Sequence, residues 1–289
     1  MFTAKIENQF GELLTLTQNE HNYQVVQIEG LNPSPALINY TEIAGLDGAK
    51  FNSSRLEVRN IVIYVKINGN IEENRLKLYR HCITKTLARF YFKNETLDVF
   101  IDGYIETVEC NVFENPEIAQ ISMICPYPYF SSVRKYEKSS TDIISMFEFP
   151  FSINEGSPVV ISELSMDDFT SVINETDSKT GMEIVVDVLD TVYKIEIANV
   201  TTSETIKLDS TGSAFTEGDQ IYIITTQGKK EVYRMRQGVR TNLFPVLVHG
   251  SKFPQLNPGL NVLQYSADDV PGSDEITITY GFNLAYRGV

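Results

Sequence analysis

Only one stretch of this chain, residues 70–87, brings apolar side chains round at helical intervals, while the other apolar residues fall mostly in short alternating runs separated by turns. That pattern restricts the fold to a strand-dominated molecule with a single amphipathic helix. Asn68-Gly69 turns the chain into the helix, and Asn70 with Glu73 has the spacing of a capping box. Leu76, Tyr79, Ile83 and Leu87 then recur on one face, with Arg75, Lys77, Arg80 and Lys85 elsewhere. The apolar stripe is the face expected to pack.

Strands surround this helix in the first half. Ile61, Ile63, Val65 and Ile67 alternate with Val62, Tyr64 and Lys66, and residues 89–92, 97–108 and 118–125 read as three more strands. Strand, helix and three strands predict an α+β unit, rich in β, with one main helix. At 289 residues the chain is too long for one ordinary core and suits two. The boundary is expected at Cys125-Pro126-Tyr127-Pro128-Tyr129-Phe130, where two prolines oppose both helix and regular ladder pairing. The predicted organisation is a first domain over 1–130, a polar linker over 131–145 and a second domain over 146–289. Charge divides along the same line. Residues 1–138 carry 14 basic and 17 acidic side chains, net −3, whereas residues 139–289 carry 10 and 21, net −11.

The second half shows no helical period. Short candidate strands lie at 159–162, 183–188, 192–198, 205–208, 220–225, 231–235, 262–266 and 275–280, and residues 243–248 fit a strand or a short helix equally. Turns such as Glu217-Gly218-Asp219, Gln227-Gly228 and Pro258-Gly259 separate several of them. Many short strands with such punctuation predict an antiparallel, all-β sandwich of jelly-roll type.

The chemistry needed for catalysis or metal binding is sparse. His21, His81 and His249 are the only histidines and share no ligand spacing, and Cys82, Cys110 and Cys125 are too scattered for a zinc knuckle or a disulfide framework. The cysteines are expected to pack as small apolar residues. No nucleophile elbow, phosphate-binding glycine run or dinucleotide fingerprint occurs. Asp167-Asp168 and Asp268-Asp269 are the only acidic pairs weighed as calcium or glycosidase carboxylates, and neighbours on a strand point to opposite faces, which favours solvated loop acids. Asn39, Asn52, Asn94, Asn174 and Asn199 begin Asn-x-Ser/Thr triplets that are inert in an unsecreted protein. The expectation is therefore no enzyme, no metal and no cofactor. A net charge of −14 opposes stable nucleic-acid binding, which needs clustered Lys and Arg. No apolar run approaches the ~20 residues of a membrane span. The opening Met-Phe-Thr-Ala-Lys-Ile-Glu lacks a secretory pattern, so a chain made in the cytoplasm is expected.

Gly30, Pro33 and Pro35 are followed by Gly45-Leu46-Asp47-Gly48 and an Arg-led strand at Arg59. Leu78-Tyr79, Ile101-Asp102-Gly103-Tyr104 and the Cys125, Pro126, Pro128, Tyr129, Phe130 cluster come next. Phe147-Glu148-Phe149-Pro150-Phe151, Glu217-Gly218-Asp219, Leu256-Asn257-Pro258-Gly259 and Tyr286-Arg287-Gly288-Val289 extend the series through the second half. Taken in order, these motifs resemble the phage distal-tail protein family. The resemblance implies a homohexameric ring built by the first domain and a galectin-like second domain, in a virion tail assembled in the host cytoplasm. The implied partners are the tail tube protein, a tail-tip or tail-associated protein and a receptor-binding protein. It makes the Gly45–Gly48 segment either a plain turn or an inter-subunit contact loop, and leaves Tyr127, Tyr129 and Phe130 either at the domain junction or against a neighbouring subunit.

Two other readings compete with that structural one. A sandwich that binds cell-surface saccharide would have to stack sugar on tyrosine, because the chain has no Trp and 15 Tyr. A cell-wall hydrolase would need dispersed carboxylates, one of raised pKa.

Overall fold

The computed structural model describes residues 2–17, 22–45, 47–140 and 169–289, with two short strands at 143–144 and 163–164. The chain is mostly β and divides into two units, Met1–Arg134 together with Ala285–Val289, and Lys135–Leu284.

The first unit begins with β1 (Thr3–Glu7), β2 (Leu13–Thr17) and β3 (Tyr23–Glu29), then a hairpin of β4 (Ala36–Glu42) and β5 (Ala49–Leu56). β6 (Arg59–Ile67), α1 (Ile71–His81), β7 (Leu87–Lys93), β8 (Asp98–Cys110), β9 (Ile118–Cys125) and the start of β10 (Phe130–Ser139) follow. The sheet closes on itself. β1 pairs with β2 and β7, β7 with β8, β8 with β9, β9 with β6, and β6 with β3, all antiparallel. A parallel bridge at Thr17↔Gln24 joins β2 to β3 and completes a seven-stranded barrel. Closure removes the free edges that an open sheet would expose. The expected α+β unit is thus a barrel with a helix on it.

Alternation decides the barrel's interior. Ala4 and Ile6, Ile61, Ile63, Val65 and Ile67, Phe90 and Phe92, and Ile121 and Met123 are buried at alternate positions and form the core, with more exposed neighbours between most of them. Cys82 and Cys125 are buried in this core as small apolar residues, Cys110 is half-buried, and all three are free thiols. Burial pushes the Cys82 and Cys125 thiols up to about 12.

α1 starts where the periodicity places it but ends at His81, because Cys82 leaves helical backbone geometry. Ile83 lies beyond it, Leu87 opens β7 instead, and the helix buries a different face. Leu78 and Asn74 are buried, whereas Leu76, Tyr79, Ile83 and Leu87 are exposed. A buried amide is tolerated because Asn74 donates to Asn68 O at 2.7 Å and its own carbonyl accepts the Tyr23 hydroxyl at 2.8 Å. The capping box is also incomplete: the Asn70 amide donates to the Glu73 carboxylate at 3.1 Å and makes no bond to the helix backbone.

The second unit contains the short pair β11 (Ile143–Ile144) and β12 (Glu163–Leu164), then β13 (Phe169–Asn174), β14 (Met182–Val188), β15 (Lys194–Asn199) and β16 (Glu204–Asp209). β17 (Gln220–Ile224), β18 (Glu231–Arg236), β19 (Val239–Asn242), β20 (Gly259–Ala267), β21 (Val270–Pro271) and β22 (Ile276–Tyr286) complete it. One antiparallel sheet runs β19-β18-β17-β14-β22, with Tyr136 of β10 stacked on Phe282 of β22. The other runs β13-β20-β15-β16, with β21 on β20. Each sheet buries one face: Met182, Ile184, Val186 and Val188 in the first, Ile195, Ile197, Leu263 and Tyr265 in the second.

Residues 131–139, expected as linker, are instead part of strand β10, because Ser131 and Ser132 pair with Phe100 and Val99 of β8. Within residues 243–248, which fit a strand or a short helix equally, residues 244–246 form one turn of 3-10 helix with proline in its first turn. The candidate strand at 159–162, with Phe147–Phe151, His21, Leu46 and the Asp167-Asp168 pair, lies outside the described residues.

Candidate functional site

The motif residues of the first unit converge on one side chain. Arg59 opens β6, is only 2% exposed, and has no carboxylate partner among its hydrogen bonds. Its Nε donates to Pro128 O at 2.8 Å, one terminal nitrogen donates to Gly30 O and to Asn32 O (2.6 Å), and the other donates to Arg287 O. The guanidinium also lies 4.6 Å from the centre of the Phe130 ring. Burial pulls the Arg59 pKa below its ordinary value and Cys125 acts in the other direction, yet an arginine stays protonated throughout the working range. Five donors in a planar fork suit this task, because one side chain can hold carbonyls from several directions.

The backbone around Arg59 is shaped to reach it. Gly30 adopts φ +84°, and a Cβ there would stand 2.0 Å from Asn60 O, so only glycine lets β3 turn off against β6. Gly103 in β8 faces Cys125 Sγ and Ile124 O, each 2.8 Å from where a Cβ would be, which permits the close approach of β9. Cys125 and Phe130 are buried in the barrel core, Pro126 is exposed, and the half-buried Tyr127 and Tyr129 rings meet with centres 5.1 Å apart. Burial, with Tyr129 adding to it, pushes the Tyr127 phenol up to about 12. Arg59, Pro128 and Phe130 therefore meet directly, and Gly103 and Cys125 support them.

The other first-unit motif lies elsewhere. Gly45, Asp47 and Gly48 form the tip of the β4–β5 hairpin, with both glycines at positive φ. Nearly every residue of β4 and β5 is exposed on both faces, including Leu37, Ile38, Tyr40 and Phe51. A two-stranded ribbon has marginal stability without a surface to pack on. The sequence signal for this hairpin is weak: Ala36–Glu42 carries Ile, Tyr and Thr, but Ala49–Leu56 has Phe51 as its one strongly β-prone residue. Elsewhere on this unit Leu76, Ile83 and Leu87 are exposed, and Phe113 is 99% exposed.

In the second unit the motif residues serve turns. Gly218 and Gly259 adopt positive φ. Asp219 is fully buried and accepts Thr216 N–H at 3.0 Å and Arg236 Nε at 2.5 Å, with a further bond from the Arg236 fork. Burial drives the Asp219 carboxyl up, but the Arg236 hydrogen bonds, the Thr216 N–H and the nearby Arg234 outweigh it and hold the carboxyl below its ordinary range. Pro258-Gly259 is held by buried Asn261, whose amide donates to Asn257 O at 2.7 Å and Gly259 O at 3.0 Å.

The residues weighed for chemistry are engaged structurally. His81 Nε2 lies 3.0 Å from Ile6 O, and His249 is exposed. Asp268 and Asp269 occupy a tight left-handed turn; Asp268 accepts the Tyr193 and Lys194 N–H groups, and Asp269 pairs with Lys194 at 2.8 Å. Asn174 and Asn199 are buried and hydrogen-bonded to Ser178 O and Gln255 O. Among the described residues no group of three His, Cys, Asp or Glu side chains is placed to hold a metal ion, and no helix is long and apolar enough to cross a membrane. The tyrosines closest to a platform, Tyr222 and Tyr233, stack on each other at 4.9 Å, and Arg240 lies 4.0 Å from the Tyr233 ring centre.

No family model matches this chain, and no curated protein matches it. Solved structures do. The SPP1 Dit protein, described as a paradigm of hub adsorption apparatus in Gram-positive-infecting phages, superposes with a TM-score of 0.68 at 14% identity, covering 99% of both chains. Chains of the phage P2 baseplate in its activated conformation match with Ca (TM-score 0.56, 11% identity) and with Sr (0.57, 12%), each covering 97% of this chain and 98% of the other. The chain therefore shares the fold of the SPP1 Dit protein along nearly its whole length.

Proposed function

We propose that this chain is a structural component of a virion tail, a distal-tail or baseplate hub that closes into a homohexameric ring and joins the tail tube to the host-recognition apparatus. The single observation that carries this reading is the match to a hub protein over 99% of both chains. The first unit is the ring-forming domain. A cyclic homomer needs two different patches on one subunit that fit each other. The uncovered hairpin, with Leu37, Ile38, Tyr40 and Phe51, supplies one, and the exposed apolar residues Leu76, Ile83, Leu87 and Phe113 are candidates for the other. The Gly45–Gly48 tip is then a contact loop. The second unit is a galectin-like sandwich on which tail-tip and receptor-binding proteins dock. Its role is structural and not catalytic.

Size-exclusion chromatography with light scattering, followed by negative-stain imaging, tests the proposal. A sixfold ring of about 196 kDa, six copies of 32.7 kDa, is the expected result. A monomer at every concentration, alone and with the tail tube protein, overturns it. The saccharide-binding alternative is tested in parallel on a glycan array. Its best platform is already occupied by the Tyr222–Tyr233–Arg240 stack, so no specific binding is expected.

A further inference from the structure

The residues that complete the first unit are not all made with it. Ala285–Val289 belong to that unit, yet they follow the whole of Lys135–Leu284 in chain order. Arg287 O is one of the carbonyls that hold the Arg59 fork, Val289 N–H donates to Leu31 O at 3.1 Å, and Tyr286 and Val289 pack against the barrel core. Gly288 fits because it has no side chain: a Cβ there would meet Pro33 Cδ at 2.9 Å and Leu31 O at 3.1 Å. These contacts all gather on the Gly30–Pro33 segment and on Arg59, so a short strap closes the cage around a buried charge.

We propose that residues 285–289 act as a completion clip, whose docking on Arg59 and the Gly30–Pro33 segment makes the barrel competent to assemble only after the entire second unit has been synthesised. The inference rests on the ring reading for its consequence, though not for the clip itself. Synthesis at ~5–20 residues per second separates Arg134 from Ala285 by roughly 8–30 s. During that interval the guanidinium lacks one acceptor, and a buried cation short of a partner is strongly destabilising. Chains that stop short would then present an open barrel and be excluded from the ring, which protects a symmetric assembly from defective subunits.

Full-length chains test this. Gly288→Val keeps every other residue and blocks docking, Gly288→Ala is a milder version, and Arg59→Lys keeps the charge while losing the fork. Hydrogen exchange read by mass spectrometry follows the two units separately. The expected result is exchange roughly tenfold faster in β6 and β9 for Gly288→Val, an intermediate change for Gly288→Ala, and β14 and β17 unaffected. The ring fraction should fall in the same order. Unchanged exchange in β6 and β9 in all three variants overturns the clip. A loosened barrel with an undiminished ring overturns the gating. A wild-type chain that forms no ring overturns the hub reading and the gating with it, while the exchange ratio still decides the clip.

Discussion

The two units bury charge in opposite ways. The first buries a cation, Arg59, among backbone carbonyls, and its partners Gly30, Asn32, Pro128 and Arg287 are scattered from one end of the sequence to the other. The second buries an anion, Asp219, between Thr216 and Arg236, with Arg234 at 3.8 Å, all within two neighbouring strands and their turns. Carbonyls do not titrate and arginine stays charged, so the first device depends on chain closure and not on pH. The second closes locally, and its carboxylate loses its charge in acid. A barrel that must be closed from distant segments is thus locked by a residue with many donors, whereas a local hairpin is held by one carboxylate between neighbouring arginines.

Removing Arg59 should have the largest effect. Arg59→Met leaves its carbonyl acceptors buried without a donor, and should cost the first unit about 4–5 kcal/mol. Denaturant unfolding followed by exchange in β6 and β9 measures this, and a loss below about 1 kcal/mol would break the comparison. Asp219→Ala comes next, at about 3 kcal/mol, confined to the second unit. The effect is smaller because Arg236 is more exposed than Arg59 and regains water when its partner is gone. Destabilisation of β6 and β9 by Asp219→Ala would show that the two charges are not separate devices.

Acid should separate the units without any mutation. The folded Asp219 carboxyl is held below its ordinary value, so its contribution is present above the unfolded carboxylate pKa near ~4 and is lost as pH falls through the folded value. Exchange protection in β17 and β18 should therefore fall as pH drops below the unfolded carboxylate value, while the contribution of the Arg59 cage stays constant. Glu73 on α1 is also held low, by Lys77, but this exposed pair is screened by solvent and adds little. Parallel loss of protection in β6 and β17 would sink the distinction.

Legibility in the sequence follows the same division between local and distant. Strand β9 and the start of α1 come directly from periodicity, because each is a local pattern of burial. The end and the face of α1 do not. The apolar period runs on through Ile83 and Leu87, past the helix end at His81. Asn74 and Leu78 are buried in place of Leu76 and Tyr79, since Asn68 O accepts the Asn74 side-chain amide and the Tyr23 hydroxyl donates to its backbone carbonyl. Barrel closure is invisible for a related reason: the β2–β3, β3–β6 and β6–β9 pairings join segments that carry no mark of one another. Residues 131–139 read as linker because they are polar and lack alternation, with Val133, Arg134 and Lys135 exposed in succession. Arg59, Pro128 and Phe130 belong to separate motifs in the sequence, and only the fold brings them around one guanidinium.

The smallest expected stability change is in the hairpin, and it separates folding from assembly. Tyr40 and Phe51 are register partners across β4 and β5, and both are exposed. Replacing both with Ser removes one cross-strand aromatic pair, which should cost less than about 1 kcal/mol and leave exchange in β6, β9 and β17 unchanged. The ring should nevertheless disappear at concentrations where the wild type assembles, because a desolvated aromatic at an interface is worth far more than the same ring in water. Light scattering on the double variant, set beside Arg59→Met, decides whether the charge cage and the apolar hairpin have different roles. An intact ring with Tyr40→Ser and Phe51→Ser would move the subunit contact away from the hairpin. Loss of the ring with a fully protected barrel would place it there and leave Arg59 to hold the barrel alone.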